Sequence, residues 1–173
     1  MTVRTDQLRT FPNQYKNLLH TYDSQFWSEP REYTPVFKTA AGTWNPGSTG
    51  EIKGWFAVLQ DFCFAWAELV FGGEDISTPG TDLQPLSVTL PLDAIDHRAN
   101  GISGFGTIVG TAMTRDDSSV LDSSTSVVQL VSATAVSVID NTGLTERFWS
   151  STIPQTWASG DAIRLSMKYR CVP

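Results

Sequence analysis

At 173 residues and 19.0 kDa, the chain has the length of one ordinary domain, enough to bury about 70% of the surface its unfolded form exposes. A net charge of −6 with no compensating basic cluster excludes a typical nucleic-acid binder, because duplex affinity comes from Lys and Arg neutralising phosphates. Charged residues make up 17% of the chain, below the roughly 25% of a typical soluble domain, so the surface is expected to be rich in small polar residues or to be covered by neighbours.

The first residues, Met1 to Asp6, lack the apolar core of a secretory signal, and the longest apolar stretch, residues 55–71, is interrupted by Gln60, Asp61 and Glu68. No membrane insertion is expected, and the product should be made and remain soluble in a cytoplasm. Tyr15, Leu18, Leu19, Tyr22 and Phe26 then recur at three- and four-residue spacing, which gathers them on one face of a helix. Pro12 suits its first turn and Pro30 ends anything beyond Trp27, so the spacing predicts an amphipathic helix over residues 12–27. So short a helix is marginal alone in water, and its stripe needs a surface: its own domain, a sister copy or another protein. Residues 28–35, with two prolines, read as a connector.

Beyond it the helical period vanishes. Residues 44–50 carry turn chemistry, and residues 52–59 and 62–71 are aromatic, β-rich runs separated by Gln60-Asp61, a hairpin by spacing. Both faces of the second run are apolar, which predicts a central strand covered on two sides. A loop over residues 72–85 leads to a short strand over 87–92, whose Pro91 favours a sheet edge or strand end. Glycines at 101, 104, 106 and 110 accompany Ile102, Phe105, Ile108 and Val109, as expected where strands bend. Residues 127–131 and 136–139 form another expected hairpin. The last strand alternates Ile163, Leu165, Met167, Tyr169 and Cys171 with Ala162, Arg164, Ser166, Lys168 and Arg170, one apolar edge and one cationic edge. Strands every eight to twelve residues spell an all-β fold, an antiparallel β-sandwich of jelly-roll type, with a short N-terminal helical arm. The expected division is an arm over residues 1–33 and a β-sandwich domain over 34–173.

Little of this sequence offers chemistry. Asp93, Asp96 and His97 lie close together, and Asp116, Asp117 and Asp122 likewise, but nothing completes either set by spacing, so no metal is expected. His20 and His97 are the only histidines, and neither comes with the partners of a nucleophilic triad. The glycines of 101–110 match no nucleotide-binding spacing and are followed by no Lys. Glu68, an acid in an apolar strand, lacks an identifiable partner for glycoside cleavage, and a polar contact at a subunit interface explains it as well. No catalytic residue, cofactor or enzymatic activity is expected. Two cysteines are too few for a disulfide framework, and Cys63 and Cys171, each in an expected strand, read as buried free thiols. Sugar binding is the strongest binding alternative: Trp44 in a turn-rich stretch and Trp157 beside Gln155 and Asp161 are the candidate glycan contacts, while Trp55 and Trp66 read as core.

Three phrases in order carry a resemblance. They are Gly50 with the 55–71 hairpin ending in Phe71-Gly72-Gly73, then Ser87-Val88-Thr89-Leu90-Pro91-Leu92, then Pro154-Gln155-Thr156-Trp157-Ala158-Ser159-Gly160-Asp161 with its closing strand. Over residues 34–171 the chain resembles small tailed-phage virion proteins of the minor tail, tail-fibre or head-fibre kind. The resemblance implies a β-sandwich without enzymatic activity that commonly assembles as a trimer on the virion. The chain departs from that pattern in ending soon after the final strand and in carrying the aromatic arm. The expectation is therefore a bacteriophage structural protein, most plainly a minor tail or tail-tip protein. It would be a homotrimer held to other virion proteins through Tyr15, Leu18, Leu19, Tyr22 and Phe26. The alternatives are a capsid head-fibre or decoration protein and a module binding a host receptor or surface glycan.

Overall fold

The computed structural model describes residues 28–95, 107–118, 125–140 and 147–171. The expected helix over 12–27 and its stripe Tyr15, Leu18, Leu19, Tyr22 and Phe26 lie outside these residues, as do His20, Asp96, His97, Gly101, Gly104, Gly106 and Asp122. The described residues contain eleven strands and no helix. In chain order the strands are β1 (Arg31–Tyr33), β2 (Phe37–Thr39), β3 (Gly42–Thr43), β4 (Glu51–Leu59), β5 (Phe62–Val70), β6 (Ser87–Thr89), β7 (Ile108–Arg115), β8 (Thr125–Ser132), β9 (Ala135–Asp140), β10 (Arg147–Phe148) and β11 (Ala162–Arg170).

All pair antiparallel in one sheet of order β1-β4-β5-β11-β7-β8-β9-β6-β2-β3, with β10 against β9. Consecutive strands pair as β2–β3, β4–β5, β7–β8, β8–β9 and β9–β10, because a short polar turn between two β-rich runs closes at low entropic cost. Gln60-Asp61 joins β4 to β5, with Leu59 opposite Phe62 and Gln60 at φ 57°. The pairs β1–β4, β2–β6, β6–β9 and both pairs of β11 instead join strands distant in sequence. The closing strand inserts between β5 and β7, matching Ala162 to Val70 at one end and Arg170 to Phe62 at the other. It thus welds two groups of hairpins into one ladder.

The sheet curls so that one face encloses the core. Phe37, Val88, Val136, Val138, Val128, Ala112, Leu165 and Leu69 meet there from seven strands, all buried. The alternation in β11 holds along its length: Ile163, Leu165, Met167 and Tyr169 are buried, while Arg164, Ser166, Lys168 and Arg170 are exposed. Cys63 and Cys171 are buried and free. Burial pushes the Cys63 thiol up to about 11, and it raises Cys171 and the Tyr169 hydroxyl as well.

Two sequence expectations are corrected. Residues 31–33, assigned to the arm, belong to the sheet: Arg31 pairs with Phe56 and Tyr33 with Gly54, and the Tyr33 ring meets Phe56 edge-on at 6.0 Å. An X-Pro stretch suits an edge strand as well as a linker, since its missing donor can face outward. Strand β5 is central in the ladder, yet among the described residues only one of its faces is fully buried. Cys63, Ala65, Ala67 and Leu69 are buried, whereas Phe62, Phe64, Glu68 and Val70 are half-buried and Trp66 is 43% exposed.

Candidate functional site

The two proposed glycan contacts, Trp44 and Trp157, are core residues. Trp44 is 2% exposed and Trp157 6%, and they pack against each other at 5.8 Å between ring centroids. Phe71 stacks on Trp157 at 5.4 Å and lies 6.2 Å from Trp44, while Trp149 meets Trp157 at 6.3 Å. A sugar stacks on an open ring face, and these faces are occupied. Trp157 donates its indole N–H to the Ser150 carbonyl at 3.2 Å, and Trp149 donates to Ser126 Oγ at 3.2 Å. The four rings staple the loops on either side of β4, β5 and β11 beneath the sheet's end, a structural role that turn composition alone does not reveal.

The phrase Trp157-Ala158-Ser159-Gly160-Asp161 has a mechanical reason. The Asp161 side chain is buried and accepts the backbone N–H of Ala158 at 2.8 Å and of Asp117 at 3.0 Å. Its own carbonyl accepts from Phe71 N–H at 2.9 Å, and Gly160 N–H donates back to the Phe71 carbonyl at 2.8 Å. Gly160 sits at φ 96°, which a side chain would strain. The loop thereby locks the start of β11 to the end of β5 and to the loop after β7.

The acidic candidates resolve into structural contacts. Glu68 accepts Arg164 Nη2 at 2.6 Å and Nε at 3.2 Å, an ion pair across the β5–β11 ladder. Arg170 reaches Asp61 at 2.9 Å, and Arg115 pairs with Asp117 at 2.7 Å. The cationic edge of the closing strand is therefore paired largely within its own chain. Among the described residues no three His, Cys, Asp or Glu gather as metal ligands.

What the sheet does present is an aromatic outer face. Trp55 lies directly across from Trp66, Ala57 from Phe64, and Leu59 from Phe62. On the other side of β5, Ser166 faces Trp66, Lys168 faces Phe64 and Arg170 faces Phe62. The Lys168 ammonium lies 5.0 Å from the Phe62 ring centre and 5.2 Å from that of Phe64, within cation–π range. Charged pairs rim it, with Lys53 on Glu51 at 2.6 Å and the Arg164–Glu68 and Arg170–Asp61 pairs beyond. An apolar centre inside a polar rim is the anatomy of a protein contact. Trp55 and Trp66 read as core in sequence because a strand apolar on both faces looks the same whether its second cover is its own domain or something else.

Compared with known proteins, the chain matches no family model, no curated protein and no solved structure.

Proposed function

We propose that this chain is a bacteriophage virion structural protein, a minor tail or tail-tip component that assembles as a homotrimer and joins the particle through its N-terminal arm. In this reading the curled sheet works as a two-layered β-sandwich of jelly-roll kind. The arm, an amphipathic helix over residues 12–27, carries the stripe Tyr15, Leu18, Leu19, Tyr22 and Phe26. The protein is made in the host bacterial cytoplasm and resides in the virion.

The observation that carries a contact-making role is the outer face of β4, β5 and β11, where large apolar side chains sit inside a rim of ion pairs. Trp66 is 43% exposed at its centre, and monomeric soluble domains rarely expose large apolar patches, because exposed apolar area is unfavourable by about 25 cal/mol per Å². The virion setting rests on the ordered phrases of the sequence. The last of these, residues 157–161, owes its composition to the locked turn before β11, a reason for those residues to recur in a shared scaffold. A head-fibre or decoration protein on the capsid is the neighbouring alternative.

Electron imaging of intact particles with this chain labelled tests the reading. Label at the tail tip is expected; label on the capsid selects the alternative, and absence from purified particles overturns both. Mass measurement in solution is expected to return three copies, and a stable monomer overturns the trimer. The carbohydrate reading moves from Trp44 and Trp157 to Trp66 and Trp55, the rings that the outer face presents. Glycan-array binding lost in Trp66→Ala would establish it.

A further inference from the structure

We infer that Cys63 and Cys171 form a dithiol that closes to an intrachain disulfide by exchange with a small-molecule disulfide, fastening the end of β11 to the β4–β5 hairpin.

The register of the ladder brings the two residues together. Cys63 stands opposite Tyr169 across β5 and β11, and the Cys171 N–H donates to the Asp61 carbonyl at 2.8 Å. Inward positions recur at every second residue of a strand, so Cys63 and Cys171 are diagonal neighbours on the core face, both buried. Their side chains are hydrogen-bonded to each other, and the Cys63 thiol is also bonded to the Tyr169 hydroxyl. They are the only cysteines of the chain. Among the described residues no third His, Cys, Asp or Glu joins them as a set of metal ligands, so the chemistry open to the pair is that of a dithiol.

Closure needs a small movement, at a place where the chain can yield. Diagonal neighbours across a ladder have Cα atoms about 7–8 Å apart, and a disulfide takes about 4.4–6.8 Å, so Cys171 draws in by roughly 1 Å. Strand β11 ends at Arg170. Cys171, just beyond it, is held by the bond to Asp61 and by a bridge to Ala94, and the ends of elements open more readily than their centres. In the closed fold burial raises both thiols, and the Asp61 carboxylate adds to the effect at Cys171. The thiolate is the attacking form. Exchange is therefore slow and follows the opening of the strand end, while a thiol assay lasting minutes finds both residues silent.

When the end opens, the Cys171 thiolate attacks one sulfur of the external disulfide and expels a thiolate, leaving a mixed disulfide on Cys171. The Cys63 thiolate then attacks the Cys171 sulfur and expels the second thiolate. Two protein thiols are oxidised by two electrons, the external disulfide is reduced to two thiols, and the protons of Cys63 and Cys171 pass to them. The new bond spans β6 to β10 and closes a loop of about a hundred residues, long enough to restrict the unfolded chain strongly.

The test incubates the full reduced chain with glutathione disulfide at neutral pH, then unfolds it in excess alkylating agent and weighs it intact. A species with no alkyl group and two hydrogens fewer is expected to grow over hours, and Cys63→Ala and Cys171→Ala are expected to lack it. Two alkyl groups throughout, a lasting glutathione adduct or a covalent dimer each overturn the inference. Refolding from urea in a glutathione redox buffer removes the dependence on slow opening: the same bond is expected there, and its absence overturns the inference too. The oxidised chain should unfold at a urea midpoint higher by on the order of 1 M than the same chain with reductant. An equal or lower midpoint overturns the fastening of β11.

Discussion

Tyr33 stands directly across the β1–β4 ladder from Gly54, and its ring fills the space where a side chain on that glycine would begin. A Cβ built there would lie 2.5 Å from Tyr33 Cε1, so the edge strand and the glycine fit as a pair. Gly54→Ala is expected to destabilise the fold by about 1–3 kcal/mol through overpacking, read as a lower urea midpoint. Combining it with Tyr33→Ala should recover part of that loss; additive effects in the double-mutant cycle would show that the two residues are not coupled.

The buried Asp161 carboxylate holds two surface turns together by accepting from Ala158 and Asp117. Asp161→Ala leaves both donors without their acceptor, at a cost of about 1–3 kcal/mol for the two part-buried bonds. The change should appear in the denaturation midpoint with the slope m retained. A loss under 0.5 kcal/mol, the size of an ordinary surface substitution, would mean that water replaces the carboxylate.

Trp157 lies among Trp44, Phe71 and Trp149, and Trp157→Ala is expected to cost about 3–5 kcal/mol. Trp66→Ala, at an exposed position of the outer face, should cost under about 1 kcal/mol. Similar losses for the two tryptophans would contradict the assignment of one to core and the other to surface.

Alkaline pH should weaken the fold. Burial raises the Cys63 thiol from 9.0 to about 11, and it raises the Tyr33 and Tyr169 hydroxyls too. A group whose folded value lies above its unfolded one contributes stability in full below the unfolded value. That contribution drains as pH climbs toward the folded value, because the unfolded chain releases the proton first. For Cys63 the window runs from 9.0 to about 11. Urea unfolding at steps through it should show a falling midpoint, with a shallower fall in Cys63→Ala, and at neutral pH Ellman's reagent should leave the folded chain unlabelled. A flat profile would remove the buried thiol from the account.

The Arg164–Glu68 pair has Arg164 mostly exposed, so Arg164→Ala should change stability by no more than about 1 kcal/mol. Arg164→Glu, which sets like charges across the ladder, should cost more than the alanine change. Equal effects would indicate that solvent screens the pair completely.

The alternation of Ile163 to Cys171 was legible from the chain alone, and so were the β4–β5 and β8–β9 hairpins, because period and turn chemistry act between residues close in sequence. The burial of both thiols followed from their inward positions. The insertion of β11 between β5 and β7 was not legible, since it depends on pairings separated by some fifty to a hundred residues. The roles of the tryptophans went the same way. Trp44 and Trp157 sit in loop-like sequence yet meet because the curled sheet brings two distant loops together, while Trp66 sits in core-like sequence on a face that the described strands leave open. Local sequence sets which side of a strand a residue occupies; only the closed ladder decides whether that side points into the protein or away from it.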